Sequence, residues 1–404
     1  MSDFIQLNQF TKNTDGVFHA AGADLDFAYS DGENIKATLY QILRDAKDLS
    51  SASAELQAQI VDWPTEYHLS QTRANLLRPL NLSGVTRVLE LGCGCGSISR
   101  YLGEIDGIQV DSVEGSAKRA ALAALRCRDL ENVRVSVANF NDVEIPSDYY
   151  DLVLFVGVTE YAGRFSERAT DQQALQDLLA LARKATTLDG VTLIAIENRL
   201  GLKYMLGANE DHYGLRFVGL DNYIDSSGIR TYSRAEWEQQ ITAAGFRASK
   251  FVYPFPDYKV PTVLVSDEAD PQAVINALEG LKSRDYVEPF DLGESEHRIW
   301  QGLLESSNFA DHANSFLILL ADDAKILPQI CDFDLVKYQE PELNYELIGD
   351  SERVDDKRVQ AQQSRIERLQ THAQGLEKKI DLMSNSLGWR AINVVRRFLG
   401  KKTL

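Results

Sequence analysis

The chain has 404 residues, 44% of them apolar, enough for one well-buried domain of about 200–250 residues plus appended elements. Its four cysteines, at 93, 95, 127 and 331, are too few and too unevenly spaced for a disulfide framework, and no apolar run approaches the ~18 residues that span a bilayer. A net charge of −18 repels polyanions over most of the surface and argues against nucleic-acid binding.

Residues 1–60 read as an N-terminal cap. Short strands break at Asp15-Gly16 and Asp31-Gly32, and a helix from Ile35 to Ala46 follows, with Ile35, Leu39, Ile42 and Leu43 on one face. No basic-then-apolar leader opens the chain, so a cytosolic location is expected. The main domain is expected over 61–268. Strands Arg87–Leu91, Ile108–Glu114, Val133–Val137, Leu152–Val156 and Val191–Glu197 alternate with helices Ser97–Gly103, Ala117–Cys127 and Gln172–Ala185. Repeated β-α-β units predict a doubly wound, Rossmann-like α/β fold, with a mostly parallel seven-stranded sheet covered on both faces. A helix over Ser233–Ala244, opened by a serine cap, and strands Phe246–Tyr253 and Thr262–Ser266 complete the sheet, the last two as a candidate hairpin.

Residues 269–348 mix helical stretches with the apolar run Ser315–Leu320, and either extend the main domain or form a small second one. Over 350–387 a heptad emerges, with Val359, Ile366, Ala373, Ile380 and Leu387 in one seam position and Gln362, Leu369, Leu376 and Met383 in the other. It predicts a coiled coil and homo-oligomerisation, the alternative being one amphipathic helix packed on its own domain. Residues 388–404 form a basic amphipathic tail. Trp389, Ile392, Val395, Phe398 and Leu399 share a face, and Arg396, Arg397 and the lysines can reach anionic headgroups or a partner enzyme. The alternative is a solvated end.

The informative segment is Arg87-Val88-Leu89-Glu90-Leu91-Gly92-Cys93-Gly94-Cys95-Gly96, a strand running into three alternate glycines and then a helix. Glycine serves where a chain turns tightly and a Cβ would collide with a ligand, and the helix that follows offers free N–H groups. The next strand ends in Glu114, where a carboxylate can accept both ribose hydroxyls of an adenosine. Dinucleotides and S-adenosylmethionine share that logic. The dinucleotide fingerprint is G-x-G-x-x-G, whereas this loop reads E-x-G-x-G-x-G. Cys93 and Cys95 have no second C-x-C or His-rich partner and suit small packed positions, so no metal is expected.

The loop resembles the first motif of class I S-adenosylmethionine-dependent methyltransferases. Glu114, Ala138-Asn139-Phe140 and the run from Asp151 to Val158 match the motifs of their second, third and fourth strands. The resemblance implies S-adenosylmethionine as cofactor, with Glu90 near its cationic amino-acid end, Gly92, Cys93, Gly94 and Gly96 along it, Glu114 on the ribose, and Asn139 and Phe140 at the adenine. Asn139 stands where the family usually has Asp.

Two further segments are dense in polar and aromatic residues: Trp63 to Ser70 with Arg73 and Asn75, and Glu197 to Tyr204 continuing to Gly214. Ligands of open α/β sheets sit outside the C-terminal strand ends, where Glu197 and Asn198 should lie, so both segments can line one pocket. With Tyr253 to Tyr258 they resemble methyltransferase modules of bacterial surface-polysaccharide biosynthesis, often associated with glycosyltransferases. That resemblance implies O-methylation of a sugar hydroxyl or terminal phosphate on a glycan or lipid-linked saccharide, within an assembly on the inner face of the plasma membrane. Tyr67, His68, Asn198, Arg199 and Tyr258 are the candidate acceptor contacts. Arg73 is a candidate contact to the cofactor. The bland alternative for Tyr67, His68 and Arg73 is a helix entry anchored on the sheet. A hydroxyl acceptor needs a base, for which His212 stands first, with Asp211, Glu160 and Glu197 as alternatives. Two rival functions remain: a scaffold carrying an inactive methyltransferase-like domain, and a small-molecule or protein methyltransferase.

Overall fold

Apolar runs buried on both faces form the centre of the sheet, as expected of strands sandwiched between helical layers. The computed structural model describes residues 10–13, 16–20, 33–140, 144–166, 168, 170–224, 228–293 and 295–339. The Asp31-Gly32 break, the heptad segment 350–387 and the tail 388–404 lie outside these residues.

In chain order the strands are β1 (Phe10–Lys12), β2 (Phe18–Ala20), β3 (Arg87–Leu91), β4 (Gln109–Glu114), β5 (Val133–Val137), β6 (Tyr150–Val156), β7 (Thr186–Glu197), β8 (Ala248–Phe255), β9 (Val263–Ser266), β10 (Ser315–Ala321) and β11 (Leu335–Lys337). They form one sheet in the order β1-β2-β5-β4-β3-β6-β7-β10-β8-β9-β11. Neighbours from β2 through β7 run parallel and all the others antiparallel. The expectation of seven mostly parallel strands is therefore corrected to eleven among the described residues, with an antiparallel half. Three of the extra strands, β1, β2 and β11, are three-residue pieces at the two edges, and the fourth, β10, is inserted between β7 and β8. β1 and β2 turn the expected N-terminal cap into a sheet extension, because β2 pairs with β5.

Alternation sorts the side chains of the central strands into two cores. Leu89, Val153, Phe155, Ile194, Ile196, Phe316 and Ile318 face one way, against Leu175 and Leu179 of the helix Asp171–Ala185, Trp237 of Arg234–Ala243 and Trp300 of Ser295–Glu305. Val88, Leu152, Leu154, Leu193, Leu317 and Leu319 face the other way, against Ile98 and Leu102 of Ser97–Gly103 and Leu76. The helix Arg234–Ala243 opens on a capping box, in which Ser233 caps the Glu236 amide and the Glu236 side chain bonds back to Ser233.

The run Ser315–Ala321 settles where its segment belongs. It forms β10, antiparallel to both β7 and β8 and lying between them, with every residue buried. β8 and β9 form the antiparallel pair read from sequence. Among the described residues, no helix is long and apolar enough to cross a membrane.

Candidate active site

The parallel strands deliver their C-terminal ends to one edge of the sheet, and both halves of the site are built there. At the end of β3, Gly92, Gly94 and Gly96 have φ of +80°, +56° and +78°, a region that side-chain-bearing residues rarely enter. At Gly96 a Cβ would also stand 2.8 Å from Ala123 Cα, so this glycine lets the helix Ala117–Arg126 pack against the loop. The Glu114 carboxylate at the end of β4 accepts the Gly94 N–H at 2.8 Å through one oxygen and the Ser116 N–H at 2.9 Å through the other. Each oxygen keeps a further lone pair, which is what a bidentate acceptor of two ribose hydroxyls needs.

Glu90, one residue before the end of β3, is buried and accepts hydrogen bonds from Ser99 Oγ at 2.5 Å and Ser112 Oγ at 3.2 Å. Burial pushes its carboxyl up to about 7, against those bonds. Cys93 packs with Ala120 and Val137, and Cys95 with Leu122 and Leu69. Asn139 and Phe140 follow β5 and are half-buried, Phe140 against the core.

The second half sits beyond β6, β7 and β8. Glu160 follows β6, Glu197 ends β7, the loop after β7 brings Glu210, Asp211 and His212, and the segment after β8 brings Asp257, Tyr258 and Lys259. His212 Nδ1 lies 2.9 Å from Glu210 Oε1, while Nε2 faces Glu160 Oε1 at 3.4 Å and Glu197 Oε2 at 4.0 Å. Tyr258 donates its hydroxyl to Glu197 Oε1 at 3.3 Å, and Lys259 pairs with both Glu197 and Asp211. Lys203 Nζ lies 3.0 Å from Asp211 Oδ1 and 3.6 Å from Asp257.

Burial opposes charge on His212, but Glu210, Glu197 and Glu160 outweigh it and raise the imidazole well above its usual value. Burial, with the Glu197 charge, raises Glu160 despite the His212 contact. Burial would also raise Asp211, yet Lys203 and Lys259 hold it well below the usual carboxylate range. At neutral pH His212 therefore carries its proton already, and Asp211 is committed to two lysines. Of the four candidate bases, Glu160 and Glu197 are the ones that keep an open oxygen: Oε2 of each is buried with no hydrogen-bond partner.

The candidate acceptor contacts divide. Tyr258 belongs to the cluster. Tyr67 lies over the Arg73 guanidinium, 4.3 Å from its ring centroid, and Arg73 donates to the Lys259 carbonyl, which ties this pre-sheet segment to the cluster. His68 is buried at the end of the helix Trp63–Leu69, and its carbonyl accepts from Arg126. Asn198 and Arg199 are employed elsewhere. The Asn198 amide donates to the Asp311 and Ala313 carbonyls at 2.8 Å each, fastening β7 to the turn before β10, and Arg199 pairs with Glu236 at 2.6 Å. These bonds tie both side chains to the scaffold, a role the sequence did not show for either.

Sequence reasoning missed Glu210, Lys203, Lys259 and Tyr286. Tyr286 donates to Asp257 at 2.6 Å and stacks on Trp63 with ring centroids 3.8 Å apart. The signal for Glu210 was its place two residues before His212. Nothing local marked Tyr286.

Residues 88–184 match the family described as Methyltransferase domain. This segment is similar to methyltransferase domains. The cyclopropane-fatty-acyl-phospholipid synthase of Escherichia coli K12 is 31% identical over 84 residues, 21% of each chain. The chain thus spans about a fifth of the length of the curated relatives it matches. Among solved structures, a SAM-dependent methyltransferase from Archaeoglobus fulgidus aligns with TM-score 0.38 at 17% identity, over 63% of this chain and 93% of that one. The [4+2]-cyclase SpnF aligns with TM-score 0.37 at 15% identity, over 71% and 93%. Likeness at that level assigns neither reaction nor substrate. The matched segment holds Glu90, the glycine loop, Glu114, Asn139, Phe140 and Glu160, whereas Glu197, His212 and Tyr258 come from beyond it.

Proposed function

We propose that this chain transfers a methyl group from S-adenosylmethionine to a hydroxyl oxygen of a bacterial surface glycan or its lipid-linked precursor. The observation that carries the reading is the Glu114 carboxylate locked onto the Gly94 and Ser116 amides beside three left-handed glycines, within the segment that matches a methyltransferase domain. S-adenosylmethionine supplies an electrophilic methyl on a sulfonium, which leaves the protein to align the acceptor and take its proton.

The alignment surface is the cluster beyond β6 and β7. Its carboxylates, Glu160, Glu197, Glu210, Asp211 and Asp257, outnumber its cations Lys203, Lys259 and His212, which favours a neutral hydroxyl over an anionic phosphate. Glu160 is the base in this reading. Its raised carboxyl lies closer to working pH than that of an ordinary glutamate, and Oε2 is open to a donor. His212, protonated and oriented by Glu210, holds the carboxylates in place. The glycan acceptor and the glycosyltransferase-type partners rest on the polysaccharide-module resemblance, and attachment to a membrane surface rests on the basic segment 388–404.

Calorimetry of S-adenosylmethionine on wild type, Gly94→Arg and Glu114→Ala tests the foundation. Gly94→Arg should abolish binding, because φ is +56°, a region side-chain-bearing residues rarely adopt, and a long side chain would stand in the glycine loop. Glu114→Ala should weaken it by about 10- to 100-fold, as hydrogen bonds to a charged group contribute about 1.5–3 kcal/mol. A folded wild type that binds no S-adenosylmethionine removes the reading.

A further inference from the structure

Burying carboxylates side by side is costly unless a cation joins them. Glu160 and Glu197 are 3% and 0% exposed, yet Oε2 of each finds no hydrogen-bond donor. Glu160 turns its other oxygen, Oε1, and Glu197 its Oε2 toward His212 Nε2, and one ligand atom from each of the three lies within 4.8 Å of the others. The histidine's other nitrogen is anchored: Nδ1 is 2.9 Å from Glu210 Oε1, and Glu210 is itself held by the His212 and Tyr213 amides at 2.9 and 2.8 Å and by the Tyr223 hydroxyl at 3.3 Å. A carboxylate that fixes Nδ1–H and turns the Nε2 lone pair toward an ion is the usual outer support of a metal-ligating histidine.

We infer that Glu160, Glu197 and His212 form a binding site for one divalent first-row metal ion, with Glu210 as the outer partner that orients the histidine. Two carboxylates and an imidazole that releases its Nε2 proton when the ion binds supply a mixed N/O donor set and cancel the ion's charge. Donors about 2.1 Å from one ion stand about 3–3.5 Å apart, so the observed 3.4 and 4.0 Å separations need only slight closure. The three ligands come from separate loops, after β6, at the end of β7 and in the loop that follows, which leaves the remaining coordination positions to water or an acceptor oxygen. An acceptor hydroxyl bound there loses its proton more readily. The absence of metal expected from sequence rested on the cysteines, which play no part here.

The site is tested without cofactor or acceptor, so its outcome is independent of the methyl-transfer reading. Untagged full-length protein, stripped with chelator, is titrated with Co²⁺ and followed by the visible absorption of the bound ion and by calorimetry. A single equivalent should bind with Kd below about 100 µM. Glu160→Gln and His212→Asn should each weaken binding by more than about 100-fold, and Glu210→Gln by about 10- to 100-fold through loss of the histidine's orientation. Thermal melting and S-adenosylmethionine binding of each variant report whether it is folded. No saturable Co²⁺ binding by wild type overturns the site, as does binding left unchanged in folded Glu160→Gln and His212→Asn.

Discussion

Glu90 and Asp111 are carboxylates placed where water does not reach. Glu90 is 2% exposed on β3, and Asp111 is 3% exposed on β4, taking a hydrogen bond from Tyr150 at 2.8 Å. Burial lifts Glu90 from 4.5, and Asp111 from 3.8, to about 7 each. Folded protein therefore holds these protons more tightly than unfolded chain. The stability this confers is complete below the unfolded values and is lost as pH rises toward 7, about 3 kcal/mol for Glu90. Thermal melts of the ligand-free chain should fall in midpoint between about pH 5 and pH 7.5, and Glu90→Gln should flatten part of that slope. Parallel curves for wild type and Glu90→Gln would refute the assignment. At this scale the sequence showed that Glu90 is special, through its place before the glycines. It did not show that His212 is protonated, because that depends on three glutamates brought around it from different loops.

Among the elements, the loop between β3 and the helix Ser97–Gly103 is constrained at one glycine by a neighbouring helix. Gly96→Ala would combine a φ of +78° with a Cβ 2.8 Å from Ala123 Cα, and helix backbone cannot yield as a flexible side chain does. Gly107→Ala, with a similar φ of +83° and open space around it, isolates the conformational part. Urea denaturation should show a loss of about 1 kcal/mol for Gly107→Ala and about 2–5 kcal/mol for Gly96→Ala, from strain plus overpacking. Equal losses would mean that the helix contact does not matter. Most elements were legible: strands Arg87–Leu91 and Val133–Val137 fall where the pattern placed them, and the others differ mainly at their ends. β7 begins at Thr186, earlier than read, because Asp189-Gly190 interrupts its apolar run.

Across the whole molecule, β10 closes the sheet. A fragment of residues 33–268 would leave β7 paired only with β6 and β8 only with β9, each with one open edge, and strip Phe316 and Leu317 from the two cores. It should lack a cooperative melt and native near-ultraviolet circular dichroism, whereas 33–339 should show both. A cooperative, native-like 33–268 would disprove the dependence on β10.

The sequence by itself determined the alternation of strand and helix, the buried character of the central strands and the glycine loop with its two acidic companions. These follow from period, turn chemistry and short spacing, all of which act within a few residues. Only the tertiary structure decided that β10 lies between β7 and β8, that Asn198 and Arg199 serve the scaffold, and that Glu160, Glu197 and His212 meet. Periodicity records that a residue is buried but not against what, and a partner chosen from tens of residues away or more leaves no local mark.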